Sequence, residues 1–121
     1  MININRIRKL TLCIMLLFCS CVSKQISNDW SKDQNGCLQL RSRDLADKLV
    51  KQNGLMNDAE DNFLKVFGNP DTISQTNDAK ILIYYINNMC ENNHPLKDSD
   101  KCWAEFYFES GRLKSYNFPC E

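Results

Sequence analysis

The chain has 121 residues, 43% of them hydrophobic, with 15 basic and 15 acidic side chains. That length allows one domain and excludes a second with its own core. Residues 1–20 hold Arg6, Arg8 and Lys9 and no Asp or Glu, which leaves 12 positive and 15 negative side chains after them, a net of −3. A mildly acidic body lacks the concentrated basic face that nucleic-acid backbones require, so no nucleic-acid partner is expected.

Arg6, Arg8 and Lys9 precede the nine-residue apolar run Leu10–Phe18. A membrane-spanning helix needs about 20 apolar residues, so the run has the size of a signal-peptide core. Phe18-Cys19-Ser20-Cys21 follows. A short apolar run closed by a small residue and then Cys resembles the lipobox of bacterial lipoproteins, which implies cleavage after Ser20 and acylation of Cys21. Each buried CH₂ of such a lipid adds about 0.8 kcal/mol of membrane affinity, so two or three chains anchor a domain without a transmembrane helix. The expected organisation is a lipoprotein signal peptide at 1–20, a lipidated tether at 21–36 and a folded domain at 37–121. By the same resemblance, Val22 in place of Asp at the second mature position implies the outer membrane. The domain then hangs in the periplasm, or faces the cell surface in some lineages.

Of seven cysteines, Cys13 and Cys19 leave with the signal and Cys21 takes lipid. Cys37, Cys90, Cys102 and Cys120 remain, an even number that reads as two disulfides in an exported domain. Cys90 ends one predicted strand and Cys102 opens the next, which predicts a Cys90–Cys102 bridge and leaves Cys37 for Cys120. That second bridge closes a long loop, worth about 4 kcal/mol in the chain-entropy model. A metal site from Cys90, His94 and Cys102 is the rival. The chain has no C-x-x-C pair and one His, and exported thiols oxidise, so neither a metal nor any cofactor beyond the lipid on Cys21 is expected.

From Ser42, the apolar residues Leu45, Ala46, Leu49 and Val50 recur at helical spacing until Asn53-Gly54. Asn57 and Glu60 have the spacing of a capping box for a second helix. Its apolar face is Ala59, Phe63, Val66 and Phe67, and Gly68 with Pro70 ends it. Thr72–Thr76 is a weak strand ahead of an Asn77-Asp78 turn. Ala79–Asn87 is a near-continuous apolar run, as expected of a central strand. Residues 88–101 form a long polar loop. Cys102–Glu109 and Arg112–Phe118 make a hairpin around Ser110-Gly111. A two-residue turn pairs Glu109 with Arg112, Tyr107 with Lys114, Glu105 with Tyr116 and Trp103 with Phe118. Ala104, Phe106, Phe108 and Leu113 then share the helix-facing side. The predicted class is α+β, two short helices packed on one face of a three- to four-stranded antiparallel sheet.

The helix ending Phe67-Gly68-Asn69-Pro70-Asp71, the strand Ile83-Tyr84-Tyr85 and the hairpin Phe106–Leu113 resemble, in order and spacing, small outer-membrane lipoproteins of the SmpA/OmlA (BamE-like) type. With the lipobox, the resemblance covers most of the chain. It implies an ααβββ fold and a role beside the machinery that inserts β-barrels into the outer membrane. The four mature cysteines and the loop 88–101 lie outside that family's pattern.

No catalytic arrangement is legible. His94, the one His, sits in a polar loop without a nucleophile at matching spacing. Glu91, Asp98 and Asp100 lack the regular pattern of a calcium loop, and the four scattered glycines make no phosphate loop. A small-molecule substrate is therefore not expected. What remains is a protein-binding patch, placed on Trp103, Tyr107, Tyr116 and Phe118 with Lys114 and Arg112 at its rim. The expected function is a non-enzymatic scaffold or stabilising subunit in envelope assembly. The alternative is an inhibitor or immunity protein that blocks a periplasmic hydrolase or toxin. With all four mature cysteines bridged, the intact mass will stay unchanged under a thiol-blocking reagent until the protein is reduced. Uptake by the native protein would refute two bridges.

Overall fold

A computed structural model describes residues 28–121; the expected signal segment and Cys21 lie outside the described residues. The described residues begin with a single helical turn, α1 (Asp29–Lys32), and a 3₁₀ turn at Gln34–Gly36, followed by α2 (Arg43–Gln52) and α3 (Glu60–Phe67). Six strands follow: β1 (Thr72–Gln75), β2 (Ala79–Ile86), β3 (Cys90–Glu91), β4 (His94–Pro95), β5 (Cys102–Glu109) and β6 (Arg112–Asn117). β1, β2, β5 and β6 form an antiparallel sheet in the order β1-β2-β5-β6, and β3 pairs with β4 in a small ribbon inside the loop 88–101. The class is α+β, with helices packed on one face of a four-stranded sheet. Among the described residues, no helix is long and apolar enough to cross a membrane.

Alternation along the strands selects the buried face. Leu82, Tyr84 and Ile86 of β2, Ala104, Phe106 and Phe108 of β5, and Leu113 of β6 are buried against Ala46, Leu49 and Val50 of α2 and Phe63, Val66 and Phe67 of α3. Aromatic rings dominate the centre. Phe63 stacks on Phe67 at 4.3 Å between centroids, and Phe106 lies 4.7–4.8 Å from both. Such pairs add about 0.5–1.5 kcal/mol each beyond their area burial.

Both main helices stop as the sequence predicts. The Ser42 side chain caps α2 by accepting from Leu45 N–H at 3.1 Å. Gly68 closes α3 at φ +74°, where its freedom from a Cβ is needed. The start of α3 differs from the expected capping box. Asn57 stands at φ +61°, and Ala59 is the N-cap residue, with no side-chain cap bond. Asp58 instead accepts from Ala59 N–H and from Asn62 Nδ2. Glu60 has turned to Lys80, at 2.7 Å.

The domain also starts earlier than residue 37. Trp30 is fully buried, its ring 5.2 Å from Phe67 and 5.7 Å from Tyr84. An indole of that size draws its own segment out of the tether and into the core. The Asp33 carboxylate, also buried, accepts from the N–H groups of Leu38, Leu40 and Arg41 at 2.7–3.1 Å. This shapes residues 33–41 into a loop against β2. Gly36 docks so closely there that a Cβ would stand 2.7 Å from the Tyr85 carbonyl oxygen.

The disulfides are Cys37–Cys90 and Cys102–Cys120, so the expected pairing of Cys90 with Cys102 and Cys37 with Cys120 is corrected. β2 ends at Ile86, which is itself opposite Cys102. Asn87 then takes φ +52° and turns the chain away, and Asn88 N–H donates to Gly36 O at 3.1 Å. That contact sets Cys90 beside Cys37. The C-terminal tail meanwhile runs along β5, with Trp103 N–H donating to Pro119 O and Cys102 opposite Cys120. Each bridge closes a shorter loop than Cys37–Cys120 would, with separations of 53 and 18 residues.

Arg41 and Asp71 form a buried ion pair at 2.7 Å, 1% and 5% exposed. Arg41 also lies 5.3 Å from the Trp30 ring and 5.2 Å from the Tyr84 ring, and donates to the carbonyls of Trp30 and Tyr85. Removing one partner of a buried pair typically costs about 3–5 kcal/mol. Asp71→Ala is expected to lower the unfolding free energy by about that much in urea titration. A loss under 1 kcal/mol would show that the pair does not hold the fold.

Candidate functional site

The sheet has one covered face and one open face. On the side away from the helices, direct cross-strand partners line up in rows. Ile81 of β2 is opposite Tyr107 of β5, Ile83 is opposite Glu105, and Tyr85 is opposite Trp103. β1 adds Thr72 beside Ile83 and Ser74 beside Ile81, while β6 adds Ser115 beside Tyr107 and Asn117 beside Glu105. Ile81, Ile83, Tyr85, Trp103 and Tyr107 are each only part-exposed. They form a contiguous apolar and aromatic strip two strands wide, flanked by small polar residues.

Strand alternation generates this strip from β2 and β5. Every second residue of the Ile-Leu-Ile-Tyr-Tyr-Ile run goes to the core, and the other half stands on the open face. Glu105, within the strip, accepts from the Trp103 indole N–H at 2.8 Å. That bond orients the indole and satisfies its one donor.

Trp103 and Tyr107 therefore stand where the sequence reading places them; Lys114, Tyr116 and Phe118 do not. β6 carries a bulge. Glu109 is opposite Arg112 and Phe108 opposite Leu113, but the next step along β5, to Tyr107, meets Ser115. Lys114 is the extra residue, and beyond it the parity of β6 is reversed. Tyr116 pairs with Phe106 and stacks on it at 5.5 Å, on the helix side. Phe118 packs 5.9 Å from Tyr116 under the Arg43 guanidinium. Lys114 and Arg112 both reach back to Asn57 in the loop between α2 and α3, at 2.9 Å. The sequence reading also left Ile81, Ile83 and Tyr85 out of the patch.

A cleft of about 380 Å³ opens at the end of the sheet, between the N-terminus of α2 and the ends of β2 and β5, with Arg43, Ile86, Asp100, Trp103 and Phe118 on its walls. Among the described residues, no three His, Cys, Asp or Glu side chains converge on one point. Cys37, Cys90, Cys102 and Cys120 are all in disulfides, and His94 lies exposed in the β3–β4 ribbon. The arrangement is a partly apolar sheet face that no helix covers among the described residues, with a cleft at one end of the sheet.

Compared with protein-family models, with curated proteins and with solved structures, the chain matches none.

Tyr116 supplies a pH handle on the β6 assignment. Its hydroxyl donates to Asp47 Oδ1 on α2 at 2.7 Å. Partial burial, together with that hydrogen bond and the carboxylate's charge, pushes its pKa up to about 12 from 10.0. The neutral phenol is favoured in the folded state, so the contribution is whole below pH 10 and fades as pH rises from 10 to 12. The stability difference between wild type and Tyr116→Phe is expected to be constant at neutral pH and to shrink across that window. A difference unchanged to pH 12 would mean that Tyr116 does not engage Asp47.

Proposed function

We propose that this chain is a non-enzymatic, lipid-anchored outer-membrane protein that acts as a scaffold or stabilising subunit in envelope assembly, gripping a protein partner with the open face of its sheet. The observation that carries the reading is the strip Ile81, Ile83, Tyr85, Trp103 and Tyr107, left without a covering helix among the described residues. Its composition, aromatic with two β-branched residues and a small polar rim, is that of an interface core. The cleft beside Trp103 gives a partner's side chain somewhere to enter.

Lipid attachment at Cys21 suits such a role. It confines the domain to a thin layer and raises its effective concentration near membrane-bound partners without any new contact. The lipobox, the expected α+β class and the helix-stop and hairpin residues that resemble the SmpA/OmlA type support the same reading. The fold by itself does not name the partner.

A photo-reactive residue at Tyr107, activated in intact cells and followed by mass spectrometry of the captured protein, tests the proposal. A β-barrel protein or a component of its assembly machinery is expected. Capture of a soluble hydrolase or toxin would replace the scaffold reading with that of an inhibitor. The same photo-reactive residue at Tyr116, on the helix side, is expected to capture no partner.

A further inference from the structure

A second apolar surface lies away from the sheet face. Among the described residues, the exposed large apolar side chains are Leu38, Leu40, Met56, Ile73, Met89 and Leu96. Four of these six cluster about one covalent link. Leu38 follows Cys37 and Met89 precedes Cys90, and the two cysteines are bridged with 5.4 Å between their Cα atoms. One Cα–Cα step of about 3.8 Å on either side keeps Leu38 and Met89 within about 13 Å of each other. Leu96 N–H donates to Met89 O at 2.9 Å, one step beyond the Cys90–Pro95 pair, so Met89 and Leu96 are cross-strand neighbours. Leu38 is 58% exposed and Met89 62%. A disulfide thus holds two loop tips together with aliphatic side chains turned to the outside.

These loops are tied to the place where the chain enters the fold. The loop bearing Leu38 and Leu40 folds back on α1, with Leu38 N–H donating to Asp33 at 2.7 Å and Arg41 Nε to Trp30 O at 2.9 Å. Six residues lie between Cys21 and Asn28, and the seven Cα–Cα steps reach at most about 25 Å in any arrangement. A lipid on Cys21 therefore holds α1 and the loops bound to it close to the membrane surface.

We infer that Leu38, Leu40, Met89 and Leu96 form a membrane-docking surface that enters the interfacial layer of the bilayer holding the lipid anchor. The inference rests on the anchoring reading above. Apolar insertion of this kind reaches about 5–10 Å, to the boundary of headgroups and acyl chains. The patch is aliphatic and lacks the Tyr and Trp anchors of a protein hot spot, which the open sheet face has in Tyr85, Trp103 and Tyr107. The loop carries Lys97 and Lys101 against Glu91, Asp98 and Asp100, so attraction to anionic headgroups does not drive the contact. Burial of Leu and Met side chains does.

The chain's own methionines provide the test. Beyond the expected cleavage site, the sequence contains two, Met56 and Met89. Both are exposed, but they sit at opposite ends of the sheet. Met89 follows the end of β2, whereas the loop of Met56 is bonded to Leu113 and to the Ser110-Gly111 turn through Asn57, Asp58 and Glu60. An eight-residue strand separates these ends by about 26 Å. The full chain is grown with a diazirine analogue of methionine, irradiated in its own membranes and digested. Lipid adducts are then measured on the Met56 and Met89 peptides, and acyl mass on the peptide that begins at Cys21.

Lipid on Met89, several-fold above Met56, is the expected result. An acylated Cys21 with no lipid preference at Met89 would overturn the docking surface while leaving the anchor intact. Protein adducts in place of lipid at Met89 would overturn it in favour of a second protein interface. An unacylated Cys21 with no lipid on Met89 would remove both, whereas lipid on Met89 without acylation would keep the surface and remove the anchor.

Discussion

The fold depends on how the exposed edge of β2 is finished. β1 is only four residues long, and its ladder with β2 runs out at Thr72 and Ile83. Asp71 N–H still reaches Ile83 O, but beyond that point Tyr85 has no strand partner on this edge. Its N–H donates to the Asp71 carboxylate at 2.8 Å, and its carbonyl accepts from Arg41 Nη1 at 3.1 Å. An ion pair replaces the missing strand, satisfying two backbone groups that would otherwise be costly to bury. Asp71 also accepts from Asn35 N–H at 2.9 Å, which fixes the 3₁₀ turn and, through it, the approach of Gly36 to β2. Arg41 in turn lies against Trp30 and Tyr84 and holds the indole in the core. The N-terminal segment, the first disulfide and the loop patch all take their positions from this one pair.

Local signals in the sequence carry the elements well. Ser42, Gly68 and the Ser110-Gly111 turn act within a few residues of themselves, so their effects are readable without the rest of the chain. Both turn residues stand at positive φ, 52° and 73°, as a two-residue hairpin requires. Long-range competition is less legible. Asn57 and Glu60 have capping-box spacing, but Lys80, twenty residues on, claims the glutamate. Cys90 extends β2 only if that strand continues through Asn87, and the contact between Asn88 and Gly36 prevents that. Trp30 looks like tether until the aromatic pocket that receives it exists.

The open face was half legible for a specific reason. In β2 both alternating sets are apolar, so the run announces burial without saying which residues face the open side. In β6 the error is one of parity. Leu113, Tyr116 and Phe118 are spaced by three and then two, and a step of three inside a strand is the sequence mark of a bulge. With Lys114 as the extra residue, the aromatic pair moves to the helix side and the open face of β6 becomes Ser115 and Asn117. The strip is narrower than the sequence suggests, and it is centred on β2 and β5, the two strands with neighbours on both sides.

The bulge has a bearing on how this sheet meets other chains. Strand edges invite pairing by any passing backbone, and proteins blunt them with short strands, kinks and covers. Of the four strands in the described sheet, β1 is brief and bears Thr, Ser and Gln. β6, on the other flank, is bent at Lys114, and its continuation is bound to β5 through Cys102–Cys120. Neither flank presents a long flat template for adding a strand. Copies of this domain crowded together are thus protected from growing into shared sheets. What the sheet leaves open is its side-chain face, and side chains can discriminate between surfaces in a way that bare backbone cannot.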